Sequence, residues 1–77
     1  MTLQEKLQYA RKKCGLTRKQ VMFRTGIKTG DIRGFEFGIT EPKYSELCQL
    51  AECYHITTEF LMSPDEPKET TFLYYKL

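Results

Sequence analysis

No stretch of this 77-residue chain approaches the ~20 consecutive apolar residues of a membrane span. The opening segment, Met1 to Lys13, alternates charged and apolar side chains and lacks the apolar core of a secretion signal, so a cytoplasmic protein is expected. Cysteines are few and unpaired in number: Cys14, Cys48 and Cys53, with no CxxC pair, beside a single histidine, His55. A structural zinc site wants four ligands at tighter spacing, so no metal is expected. The thiols read as reduced and partly buried on apolar helix faces. Nucleophilic catalysis requires a nucleophile and a base positioned together. Cys53 and His55 fall at an expected helix end where nothing else resembles a site, so no enzyme, cofactor or small-molecule substrate is expected. Internal repeats, low-complexity runs and the HExxH motif of metallopeptidases are also absent.

What remains is a single small domain. A hydrophobic content of 40% beside 29% charged residues fits a folded chain. A core of this size is marginal, so good packing or dimerisation has to support it. The net charge of +2 hides an asymmetry. Residues 1–43 carry ten Lys or Arg and four acids, a balance of +6, whereas residues 44–77 carry two lysines and six acids, a balance of −4. A basic half of this kind is the electrostatic footprint of nucleic-acid binding when it coincides with a suitable motif.

The stretch Leu16 to Gly38 supplies that motif. Thr17 and Gln20, three apart, can form a capping box that opens a helix over residues 18–25 with an apolar face at Val21 and Met22. Gly26 can take the left-handed conformation that ends a helix, and Ile27 follows as a plug. Ile32 and Phe35 line the inner face of a helix over 29–37, which Gly38 can terminate. Two short helices meeting at a glycine corner form a helix-turn-helix, whose second helix can lie in the major groove of DNA.

Upstream, Thr2 and Glu5 form a second candidate capping box for a helix over 3–13, with Leu3, Leu7 and Ala10 on one face and Gly15 at its end. Downstream, a loop with Pro42 precedes a helix over 44–54 bearing Leu47, Leu50, Ala51 and Tyr54, with His55 at its C-terminal cap. Thr57 caps a last short helix over 58–62 that buries Phe60 and Leu61. Residues 63–69 are polar with two prolines and read as a linker, and residues 70–76 are rich in β-formers and aromatics and read as a strand. A lone strand needs a partner, either its copy in a second chain or a downstream domain. The expected class is all-α with five helices over residues 1–62 and a C-terminal extension, 63–77, of linker plus dimerisation strand.

Across residues 3–62 the chain resembles the lambda repressor/Cro family of helix-turn-helix regulators, also called the xenobiotic-response-element type. The resemblance rests on Gly15-Leu16-Thr17, Gly26-Ile27, Ile32, Phe35-Glu36, Gly38 and Pro42, followed by Leu47-Cys48-Gln49-Leu50-Ala51. It implies a sequence-specific, repressor-like regulator of bacterial or phage type that binds double-stranded operator DNA as a homodimer. By the same resemblance, Arg18 at the start of the second helix is a phosphate contact, and Lys19 joins the expected DNA-binding set. Lys28, Thr29, Gly30, Arg33 and Gly34 take groove-facing positions on the third helix. Arg33 suits a bidentate contact with guanine, Thr29 a base, phosphate or thymine methyl, and Lys28 and Lys43 phosphates. Arg11 and Glu36 correspond to a structural ion pair between the first and third helices.

Three departures from the family pattern stand out. Met22 replaces the small residue at the crossing of the second and third helices. Gly30 and Gly34 stand where relatives place base-reading side chains; either they let the backbone approach the bases or leave room for thymine methyls, or direct readout is poor and binding leans on phosphates and DNA shape. Asp31 puts an acid in the recognition helix, favoured by the dipole but repelled by nearby phosphates. A second reading has the same fold as a protein-interaction module: an antitoxin, an anti-repressor, or the N-terminal domain of a larger protein such as a metallopeptidase-linked regulator.

Overall fold

The computed structural model describes residues 1–68 and 71–72. It contains five helices: α1 (Leu3–Lys13), α2 (Arg18–Thr25), α3 (Thr29–Phe37), α4 (Tyr44–Tyr54) and α5 (Thr58–Met62). Among the described residues there is no strand.

Local chemistry sets most of the helix ends. Both expected capping boxes form. The Thr2 amide donates to Glu5 Oε1 at 2.9 Å and the Glu5 amide to Thr2 Oγ1 at 3.2 Å, and the Thr2 amide holds the Glu5 carboxyl below its ordinary value. At α2 the Thr17 amide donates to Gln20 Oε1 at 2.9 Å and the Gln20 amide to Thr17 Oγ1 at 3.1 Å. The Lys43 amide donates to Glu46 Oε1 at 2.8 Å before α4, and Thr57 Oγ1 accepts from the Phe60 amide at 3.1 Å before α5. Gly26 (φ 81°) and Gly38 (φ 73°) close α2 and α3 in the left-handed region, where a side chain would be strained. His55 closes α4 at φ 59°, the one non-glycine residue with positive φ among those described.

The helices pack around one core, with α1 against α3, α4 and α5, and α2 against α3 and α4. Leu7, Val21, Ile32 and Leu50 sit at its centre, and each such burial stabilises the fold by about 1.5–3 kcal/mol. Ile27, the residue after the glycine corner, is buried, and Met22 is half-buried against the same core, so the larger side chain is accommodated at the crossing. Thr25 fastens the corner: its hydroxyl donates to the Val21 carbonyl at 2.8 Å and accepts from the Ile27 amide at 3.1 Å.

Two buried side chains carry polar groups, and the burial of the first, Lys6, was not expected. Lys6 is wholly buried, its ammonium donating to the carbonyls of Phe60, at 2.7 Å, and Ser63 and lying 4.6 Å from the Phe60 ring centroid. It thereby ties α1 to the end of α5. Tyr54 is also fully buried, and its hydroxyl has no hydrogen-bond partner among the described residues. Burial pushes that hydroxyl well above its ordinary pKa.

The segment after α5 departs from a free linker. Ser63 is gripped by Lys6, and Glu66 meets the Met1 amino group. The Thr71 amide donates to the Lys68 carbonyl at 3.0 Å, and Phe72 inserts into the core beside Tyr9, ring centroids 6.1 Å apart. Thr71 and Phe72, the described part of the expected strand, lie in a bend. The rest of that expectation, residues 70 and 73–76, lies outside the described residues.

Candidate nucleic-acid interface

The third helix is held from its inner side by one carboxylate. Glu36 sits in the last turn of α3 with a side chain only 1% exposed. Arg11 of α1 grips it with two prongs, Nε to Oε2 at 2.7 Å and Nη2 to Oε1 at 3.0 Å, while Nη1 donates to the Leu16 carbonyl at 2.9 Å. Hydrogen bonding to Glu36 pushes the Arg11 guanidinium pKa up. Arg18 of α2 adds a third arm, with Nε 3.1 Å and Nη2 3.0 Å from Glu36 Oε1. The expected Arg11–Glu36 pair is therefore a three-helix junction in which α1, α2 and α3 share one carboxylate.

The outer side of α3 is open. Lys28, Gly30, Asp31, Arg33 and Phe37 are exposed there, and Thr29 is half-buried. Lys28 is the N-cap and makes no side-chain cap. A Cβ built on Gly30 would meet nothing within 4 Å, so nothing else in the described chain crowds the helix at that point. The guanidiniums of Arg33 and Arg18 each lie 5.3 Å from the Phe37 ring centroid. Lys19 is exposed near the start of α2 and Lys43 at the N-cap of α4.

The expected positions therefore divide. Arg18 and Arg33 converge on Phe37, Thr29 and Gly30 share α3 with Arg33 and Lys28 is its N-cap, while Lys19 lies on α2 and Lys43 is the N-cap of α4. Gly34 is set apart from these open positions. It is buried, because the chain folds back after Gly38 and lays Thr40 over it. The Gly34 carbonyl accepts from the amides of Ile39 at 2.9 Å and Thr40 at 3.3 Å, and a Cβ at Gly34 would stand 2.7 Å from Thr40 Oγ1. Arg18, expected as a phosphate contact, is committed to Glu36. Phe37 was missed. Its signal was a large aromatic placed just before the terminating glycine of a helix, out of phase with the inner pair Ile32 and Phe35.

Cys14, Cys48 and Cys53 are unoxidised and half-buried, and burial pushes the Cys53 thiol up. Among the described residues no three His, Cys, Asp or Glu come together as a metal site, and no helix is long and apolar enough to cross a membrane.

Comparison with known proteins agrees with this geometry. Residues 7–61 match the sequence model of a helix-turn-helix family. The chain is also 29% identical over 66 residues to the HTH-type transcriptional regulator ImmR of Bacillus subtilis (strain 168), an alignment that takes in 86% of this chain and 52% of ImmR. The chain thus spans about half the length of the curated relative it matches.

Proposed function

The chain belongs to the helix-turn-helix family, of the lambda repressor/Cro type, and from that premise we propose that it is a transcriptional regulator that binds operator DNA through α3. The observation that carries this is the contrast across α3. Its inner side is clamped by Glu36 and the core, while its outer side presents Lys28, Arg33 and an uncrowded Gly30 to solvent. A helix so held can enter the major groove as a rigid unit. Arg33 is the base reader, suited to a guanine edge, and Thr29 is the secondary one. Lys19, Lys28 and Lys43 contact phosphates, which gives affinity and register without reading sequence, and Arg18 contributes from its place beside Glu36. Occupation of a promoter in the cytoplasm would suffice for repression, with no catalysis. Gly34 leaves the set, since Thr40 covers it.

The regulator acts as a homodimer on a two-fold site with half-sites about one helical turn apart. Exposed Tyr44 and Met62 support this, because they border an open hollow of ≈ 460 Å³ with Thr58, Glu59 and Ser63, apolar surface that a second copy would cover.

The test is binding to a genomic DNA pool at several salt concentrations. Selected sites bound well below the nonspecific range of ~10⁻⁴–10⁻⁶ M, with a steep loss of affinity as salt rises, are the expected result. Binding no tighter than that range would favour the protein-interaction module instead. Sedimentation with and without a selected duplex reads the dimer.

A further inference from the structure

Phe37 is half exposed, at the end of the recognition helix, and the core does not use it. Two guanidiniums lie beside its ring, those of Arg18 and Arg33, each 5.3 Å from its centroid. The two arginines are unlike in their other contacts. Arg18 is fixed independently by Glu36, at 3.0 and 3.1 Å, with its side chain 29% exposed. Arg33 is exposed, and the ring is the partner it shows. An arginine on an exposed helix face otherwise samples many rotamers, and that freedom is lost when it contacts a base. A guanidinium resting on an aromatic face has already given up part of it.

We propose that Phe37 is a positioning residue for DNA recognition. Its ring holds Arg33 in a base-contacting pose, and Arg18, pinned by Glu36, keeps the ring itself in place. The chain of contacts runs from the buried carboxylate Glu36 through Arg18 and Phe37 to the exposed Arg33. The order of the core is thereby transmitted to a side chain on the outer surface. This rests on the reading of α3 as the DNA-contacting helix. It adds that specificity comes from pre-ordering one arginine rather than from many base-reading side chains, which suits a helix carrying glycine at position 30.

The experiment compares Phe37→Leu, which keeps apolar bulk but has no π face, with Phe37→Tyr, which keeps the ring. The probe is a duplex selected by the unmodified chain from a randomised pool. Phe37→Leu is expected to weaken binding to that duplex about two- to ten-fold, and Phe37→Tyr to restore it. The salt slope should stay unchanged in both, because no charge has been removed. In the Arg33→Ala background, Phe37→Leu should cost nothing further. Because Phe37 is half exposed, urea unfolding should show both variants as stable as the parent chain to within about 0.5 kcal/mol.

A second readout needs no DNA. ¹⁵N relaxation of the Arg33 Nε–Hε group should show it more mobile in Phe37→Leu and ordered again in Phe37→Tyr. Equal mobility in all three chains overturns the positioning role whether or not the protein binds DNA. An undiminished Phe37→Leu effect in the Arg33→Ala background also overturns it, by making the ring itself the contact. A parent chain that binds no duplex while Arg33 responds to the ring would instead sink the DNA reading and leave the arginine–ring coupling standing.

Discussion

On one side of α3, Ile32, Phe35 and Glu36 are each at most 5% exposed, while on the other Lys28, Gly30, Asp31, Arg33 and Phe37 lie open to solvent. The first set is over-determined. Ile32 and Phe35 belong to the shared core, and Glu36 is bound by arginines from two other helices. The second set is held by little within the chain: one ring under two guanidiniums and a glycine with empty space above it. One nine-residue helix therefore separates the side chains that fix where it lies from those left open to solvent. Substitutions on the two sides should then move different measurements, stability on the inner side and DNA binding on the outer.

The largest expected effect is on the inner side. Glu36→Gln keeps the shape of the side chain but leaves Arg11 buried and facing Arg18 with no counter-charge. Loss of one partner from a buried pair costs about 3–5 kcal/mol. The urea midpoint should fall accordingly, a large share of the stability of a domain this small. A loss of only ~0.5 kcal/mol, the scale of an ordinary surface change, would mean the junction is not buried in solution.

Next in size is a test of how far the inner region extends. Phe72 lies well beyond α5 in sequence yet packs beside Tyr9 on α1. Phe72→Ala should cost about 1.5–3 kcal/mol, measured by the same unfolding curve. No loss would restore the picture of a tether following a complete domain. Truncation after Ser63 should then leave stability alone and alter only the oligomeric mass.

The inner side was the legible one, and the reason is locality. The Thr2–Glu5 and Thr17–Gln20 boxes and the Gly26 and Gly38 stops act within a few residues, so spacing alone reveals them. The pairing of Arg11 with Glu36 came instead from family resemblance, since their separation of 25 residues leaves no local sign. Lys6 shows the limit of pattern reading. A lysine among apolar positions reads as solvent-facing, and only the return of α5 and Ser63 across α1 supplies the carbonyls that allow its burial. Gly34, placed outward by the family resemblance, shows the same limit in the opposite sense. Helical spacing places it away from Ile32, but the backbone turning at Gly38 brings Thr40 over that side. The outer residues carry little internal signal, Phe37 before the terminating glycine excepted, because few contacts within the described chain hold them.

On the outer side, Arg33→Ala should leave stability within about 0.5 kcal/mol of the parent chain. Discrimination at one base position should fall by about 1–3 kcal/mol, read as the affinity ratio between a selected duplex and its single-position variants. Arg18→Ala should instead weaken every sequence alike and also destabilise the fold, because Arg18 belongs to the Glu36 junction as well. If Arg33→Ala leaves the preference intact, base reading lies elsewhere on α3 and Thr29 becomes the first residue to examine.

The finest division is between the two glycines, four residues apart on α3 and expected alike to face the groove. A Cβ at Gly30 meets nothing within 4 Å, so Gly30→Ala should stabilise the free protein by up to ~1 kcal/mol through helix propensity. At Gly34 the same methyl stands 2.7 Å from Thr40 Oγ1, and the propensity gain must be set against moving Thr40 off the end of the helix. The melting temperature should therefore rise by about 4–8 °C for Gly30→Ala and rise less, or fall, for Gly34→Ala. Adding Thr40→Ala should bring the Gly34 variant up toward the Gly30 one. DNA binding reverses the comparison: Gly30→Ala places a methyl where α3 approaches the groove and should lower affinity for the selected duplex, whereas Gly34 lies under Thr40 and has no direct contact to lose. If both alanines raise the melting temperature equally, Thr40 does not cover Gly34 in solution, and the original placement of Gly34 on the outer side returns.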